Sequence, residues 1–210
     1  MKKNRKLLPQ YAVFVEGECE FWYIQMLKRN ERVSNIKLEP IIPQKKKLSE
    51  QYDSVVALSK DYDKVFWIVD FDVIIKETKE TKKGAKTALQ EFKEYVKDIE
   101  KHNENIVVII NNPCFEYWLL LHYETTNKYY ASYDDLEKQL KKYLPDYEKK
   151  QKYYTKQNND IYLRLVSKLA TAISNSKKMD KFDFKNVHTG VSQMYLFFEE
   201  NELKQIFAPK

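Results

Sequence analysis

Three short stretches of this chain place carboxylates where a cation or a proton could be handled. They are Glu16-Gly17-Glu18 with Glu20 close behind, Asp70-Phe71-Asp72, and Glu116 shortly after Asn112-Pro113. Asp70 and Asp72 are two apart, so in extended backbone both side chains point to the same side. Like charges held that close raise one another's pKa unless a cation compensates. Mg²⁺ suits that need, because it prefers oxygen ligands and bridges carboxylates to substrate phosphates. A lone strand-end aspartate is more simply a cap or a turn residue; the pair facing Glu16 is what points to metal. Glu16 itself reads four ways: a turn carboxylate before Gly17, a partner of the next helix dipole, a metal ligand, or a proton-transfer group. Glu20, one helical turn on, either completes a metal shell or only caps the helix. Glu116 is a ligand or a residue standing behind the ligands. Cys114 reads as a small buried hydrophobe, since no histidine partner is identifiable. His102, His122 and His188 each read as structural or surface residues. His188 stands apart because Asn186–Gly190 is a polar loop.

These residues need elements to position them. Residues 11–15 form a buried strand that stops at Glu16-Gly17, and Phe21, Ile24, Met26 and Leu27 then supply a helical face. A second strand spans 36–42, where Pro40 marks an edge or a bulge. A helix around 52–58 turns Val55 and Leu58 inward, and a fully apolar third strand, 65–69, ends at Asp70. A lysine-rich connection follows, with Gly84 near its end, before a long amphipathic helix over 86–102. The fourth strand, 106–110, ends at Asn111-Asn112-Pro113, and 114–123 begins another helix. Strands alternating with helices predict a mostly parallel sheet covered on both faces. In such a sheet, ligands gather beyond the carboxyl ends of the strands. Glu16, Asp70, Asp72 and Glu116 fall at those ends, so they should share one rim. Further on, Leu136, Leu140 and Leu144 mark a helix stopped by Pro145, and Ile161, Leu165 and Leu169 mark another reaching Ser174. Residues 146–159 read as a polar loop, either mobile or substrate-facing, and 194–200 as a last helix leading to 203–207. The organisation is therefore a basic tail over 1–10, an α/β core over 11–125, and a helical extension over 126–210 packed on that core as one unit.

Composition narrows the classes. With 210 residues, 43% of them hydrophobic, the chain can bury one sizeable core. A formal charge of +6 permits a nucleic-acid partner without fixing its geometry. Lysines recur over 2–6, 45–47, 76–86 and 138–156. The two cysteines are too far apart in sequence to suggest a disulfide framework or a zinc knuckle, and a reducing, cytoplasmic setting is expected. No apolar run approaches the length of a membrane span or a secretion signal. No glycine-rich phosphate cradle occurs, which argues against dehydrogenases and P-loop enzymes.

Five pieces of the chain resemble the RloB-like family in order: VFVEGE at 13–18, FWIVDFD at 66–72, NPCFEYWLLLH at 112–122, YTKQ at 154–157 with NDIY at 159–162, and NVHT at 186–189. The 112–122 stretch is the most specific of them. RloB-like proteins are similar in turn to Toprim domains, found in topoisomerases, primases and certain nucleases. That resemblance implies a Toprim-like α/β fold with a central, mostly parallel sheet and a helical C-terminal elaboration. It implies Asp70 and Asp72 as Mg²⁺ ligands (Mn²⁺ serving in its place), with Glu16 as ligand or general acid/base. By its spacing after Glu16, apart from the resemblance, Glu20 would add to the metal set, and Glu116, within the family's own motif, to the catalytic set. Some Toprim domains carry a third aspartate where Ile74 stands here, and Glu116 would compensate for it.

The expected activity is metal-dependent hydrolysis of phosphodiesters in DNA or RNA. The family's association with restriction-linked gene clusters implies an anti-phage effector, acting with a defence-system partner or as a homo-oligomer. Lysines of 76–86 and 149–156 would contact the phosphate backbone. The rival expectation is a non-catalytic nucleic-acid-binding sensor or assembly subunit that keeps the fold.

Overall fold

A computed structural model of the chain describes residues 8–44, 47–179 and 181–207. Most of the expected basic tail, with Lys2, Lys3 and Lys6, lies outside the described residues, as do Lys45 and Lys46.

The chain runs β1 (Gln10–Val15), α1 (Glu18–Glu31), β2 (Lys37–Ile41), α2 (Leu48–Leu58), β3 (Lys64–Asp70), α3 (Phe71–Glu80), α4 (Ala88–His102), β4 (Ile106–Asn112) and α5 (Glu116–Leu120). Then come α6 (Tyr133–Leu140), α7 (Gln151–Tyr154), α8 (Ile161–Leu165), a 3₁₀ turn (Val166–Lys168), α9 (Leu169–Lys178), β5 (Val191–Ser192), α10 (Tyr195–Phe198) and α11 (Asn201–Phe207). The sheet order is β2-β1-β3-β4-β5, parallel except for the antiparallel pairing of β4 with β5. This is an α/β fold with a five-stranded, mostly parallel sheet flanked by helices, consistent with a Toprim-like arrangement. Pro40 sits on β2, an edge strand, where a missing N–H costs the ladder least.

Alternation along the inner strands divides the core in two. Tyr11, Val13 and Val15 of β1, with Phe66 and Ile68 of β3, face α1, α5 and the C-terminal helices. Ala12 and Phe14, with Val65, Trp67 and Val69, face α2, α3 and α4 through Val55, Phe71, Ile74, Phe92 and Ile99. Both sheet faces are covered, which is why the strands read as unbroken apolar runs.

Several local expectations are corrected. The chain directly after β3 is a helix, and the expected lysine-rich connection is confined to residues 81–87: Phe71 and Ile74 are buried three apart, while Lys76, Lys79 and Glu80 take the solvent side. Asp70 and Asp72 consequently do not share extended backbone. Asp70 ends β3 and precedes α3, whereas Asp72 lies in its first turn, with its N–H bonded to Pro113 O at 2.9 Å. Residues 146–159 are not an open loop, because Tyr147, Tyr153 and Tyr154 are buried and α7 lies among them. The helix expected over 161–174 breaks at the 3₁₀ turn, and the two-residue β5 has no counterpart in the sequence pattern.

Candidate functional site

The carboxyl ends of β1, β3 and β4 bring Glu16, Asp70, Asp72 and Glu116 to one rim, and the first turn of α1 adds Glu20. Gly17 makes the turn between β1 and α1, and a Cβ there would lie 2.9 Å from Glu20 Oε2. The glycine thus lets the Glu20 carboxylate fold back beneath the rim.

Glu16 is tied to the sheet. Its Oε2 accepts the Asp70 N–H at 3.1 Å, and its Oε1 accepts Gln51 Nε2 at 3.5 Å. Gln51 Oε1 in turn accepts the Trp67 indole N–H at 3.3 Å. Burial nonetheless pushes the Glu16 carboxyl up to about 7, and the negative charge of Asp72 adds to the effect. Glu20 is 2% exposed, and burial, then Glu116 and Glu16, push it up to about 8. Asp70 is held well above the usual aspartate range by burial first, then by the charges of Glu20, Glu116, Glu16 and Asp72. Asp72 is raised as well, by burial, with Lys149 opposing. Asp70 Oδ1 and Glu20 Oε1 are buried with no hydrogen-bond partner.

Glu116 is fully buried but held by protein groups. Its Oε1 accepts the Tyr147 hydroxyl at 2.7 Å, and its Oε2 accepts Cys114 Sγ and the Lys149 ammonium, each at 3.0 Å. The Tyr147 and Tyr154 hydroxyls share a further bond of 2.6 Å, and Lys149 lies 3.7 Å from the centre of the Tyr133 ring. Burial disfavours the Lys149 charge, but Glu116 beside it prevails and the ammonium stays protonated. Lys149, expected to meet phosphate, also has a partner inside the chain and serves as a counter-ion to the acidic rim.

The donors suit an oxygen-seeking divalent cation in kind, and the two orphaned carboxylate oxygens would gain from one. Among the described residues, however, no three His, Cys, Asp or Glu side chains stand together as a ready metal-holding set.

The other singled-out residues have structural duties. Cys114 is buried, and among the described residues both cysteines are free. His122 lies in the core, His102 pairs with Asp98 on the surface, and exposed His188 packs edge-on with Tyr129. Asp160 of the 159–162 piece caps α8 and accepts Arg29 at 2.7 Å and Asn30 at 3.0 Å. Sequence reasoning missed Gln51, Tyr147 and Tyr154 as parts of the site. Tyr154 opens the YTKQ piece at 154–157, whereas Tyr147 sits in a stretch that reads as polar and Gln51 is a polar residue buried on α2.

Fold and site together define an α/β protein with a buried carboxylate rim at the strand ends. The chain belongs to the RloB-like protein family, whose model matches residues 11–200. Comparisons with curated proteins and with solved structures returned no match.

Proposed function

We propose that this chain hydrolyses phosphodiester bonds of nucleic acid with a divalent cation, Mg²⁺ or Mn²⁺, and serves as a cytoplasmic anti-phage effector. Asp70, Asp72, Glu16 and Glu20 would hold the cation. When bound, it would polarise the scissile phosphate and offset the charge that develops on its oxygens.

The observation that carries this reading is Asp70. Its Oδ1 is buried and unpaired while four other carboxylates press on it, an arrangement that costs stability unless a cation joins it. Glu16, raised to about 7, is poised to take or give a proton near neutral pH. Glu116 and Lys149 stand across the rim, where the ammonium offsets negative charge brought in by a phosphate. The defence role rests on the family resemblance. Among the described residues no helix is long and apolar enough to cross a membrane.

The ion pair of Lys149 with Glu116 favours a second reading. A rim already holding its own cation suits a binding module, a sensor or assembly subunit that engages nucleic acid without cutting it.

The deciding experiment incubates the chain with single- and double-stranded DNA and RNA in Mg²⁺ or Mn²⁺, beside Asp70→Asn. Products that fall at least a hundred-fold in the folded variant support hydrolysis and name the substrate. Binding without products moves the reading to the second class, and equal products from both proteins remove Asp70 from the mechanism.

A further inference from the structure

Beside the rim lies a recess of about 250 Å³, lined by Asp72, Lys76, Lys79 and Glu80 of α3 and by Pro113 and Tyr129 across from them. Asp72, Lys76 and Lys79 follow one another at helical spacing, so a single face of α3 runs from the carboxylate rim to two exposed ammonium groups. Neither lysine enters an ion pair among the described residues. Such unpaired cations next to a carboxylate centre are available to a phosphate.

The opposite wall is built with unusual care for a surface segment. Asn112 Nδ2 donates to both Val187 O and Thr189 O at 2.8 Å. The Gly190 N–H donates to Asn127 O at 3.0 Å, and the Tyr117 hydroxyl donates to Thr126 O at 2.9 Å. A Cβ on Gly190 would collide with Lys128 O and the Tyr117 hydroxyl. Two of the recognisable sequence pieces, 112–122 and 186–189, thus meet to fix residues 126–129. What they fix there is Tyr129, half-buried and packed edge-on against His188 with ring centres 5.1 Å apart. An aromatic ring on this wall, facing two lysines without ion pairs across the recess, sets a base-sized flat surface opposite two phosphate-seeking charges.

We propose that this recess is a nucleotide subsite of the rim, taking one unstacked unit of a single-stranded nucleic acid. The base stacks on Tyr129 and an adjoining phosphate meets Lys76 and Lys79. The recess is smaller than the roughly 300–1,000 Å³ of drug-sized sites. Its volume of about 250 Å³ is of the order of one base with part of its sugar. Asp72 at its inner end joins the recess to the carboxylate rim, where a bound cation would meet the next phosphate. Glu80 lies at the lysine end and disfavours any purely anionic ligand without a base to stack. The proposal rests on the hydrolytic reading for its direction, but binding in the recess does not require cutting.

The test uses short, fluorescein-labelled single strands of DNA and RNA carrying an iodinated pyrimidine, on the Asp70→Asn background with Mg²⁺ present. Anisotropy gives affinity and salt dependence; irradiation followed by peptide mass spectrometry gives the crosslinked residue. Tyr129→Leu should weaken binding about ten-fold or more, Tyr129→Phe should leave it within about two-fold, and the crosslink should map to Tyr129. Lys76→Ala should lower the slope of log affinity against log salt by about 0.7 for a lost phosphate contact. A strand bound and crosslinked elsewhere, with Tyr129→Leu unaffected, overturns the subsite and leaves hydrolysis standing. A crosslink on Tyr129 from a chain that cuts nothing keeps the subsite and removes the hydrolytic reading. Preference for blunt duplex, or no binding of any strand, overturns the subsite whatever the cutting assay shows.

Discussion

Glu116 shows how much of the rim's chemistry is settled by single contacts. A fully buried carboxylate is costly unless each oxygen is answered. Here Tyr147 answers one oxygen and Lys149 with Cys114 the other. Removing the cation alone should therefore do more harm than removing the pair. Lys149→Met should cost about 1–2 kcal/mol in urea unfolding, less than for a fully enclosed pair because Lys149 is 37% exposed. The double change Lys149→Met with Glu116→Gln should recover at least half of that loss, since the amide can still accept from Tyr147. Additive losses in the cycle would mean that the two charges do not act as a unit. The same contact gives Lys149 an internal partner that its place in a basic run does not reveal. Spacing shows which residues share a face, but it does not show that a lysine in a basic run folds back onto a glutamate far away in sequence.

Among the elements, the ones visible in the sequence are those whose burial is uniform. β1, β3 and β4 are covered on both faces, so they appear as apolar runs, and their ends place Glu16, Asp70 and Glu116 on one rim. What escapes notice is structure held by few or unusual contacts. α3 buries only Phe71 and Ile74, and its lysines mask that stripe. α7 is held by Tyr153 and Tyr154, whose rings pack on Tyr147 and of which Tyr154 also bonds the Tyr147 hydroxyl, so the segment looks polar in a sequence. β5 pairs only Val191 and Ser192 with Asn112 and Asn111, too little for any period. The wall carrying Tyr129 belongs to this second kind, because it hangs on Asn112. Asn112→Ala removes both bonds to 187 and 189 and should cost about 1–3 kcal/mol. Hydrogen exchange should then quicken at 126–130 and 187–190, while amides of β1 and β3 keep their protection. Uniformly faster exchange would show that Asn112 supports the sheet, not the wall.

At the scale of the whole molecule, the two parts of the chain are joined around α5, and His122 lies at that joint. Trp118 stacks on Phe198 with ring centres 5.2 Å apart, and Asn175 donates to Leu121 O at 2.8 Å, tying α5 to the C-terminal helices. His122 is 1% exposed, its Nδ1–H reaches Trp118 O at 3.0 Å, and its Nε2 is buried without a partner. Burial is the main reason its pKa falls from 6.5 to about 4, and the positive charge of Lys168 lowers it further. Between those values the unfolded chain binds the proton and the folded chain does not. His122 is therefore neutral toward folding above pH 6.5, and stability drains away as the pH drops toward 4. Glu16 and Glu20, raised to about 7 and 8, act in the opposite sense, since their folded forms hold protons that the unfolded chain releases. Net stability against pH thus mixes the two, and a comparison isolates the imidazole. His122→Gln keeps an N–H donor and never takes the proton, while both carboxylates remain. Relative to this variant, the native chain should lose about 2 kcal/mol between pH 6.5 and pH 5, at about 1.4 kcal/mol per pH unit. Denaturant unfolding across that range measures the difference. A constant gap would mean that water reaches Nε2 as the joint opens, and that the two parts of the chain are less tightly closed around α5 than their packing shows.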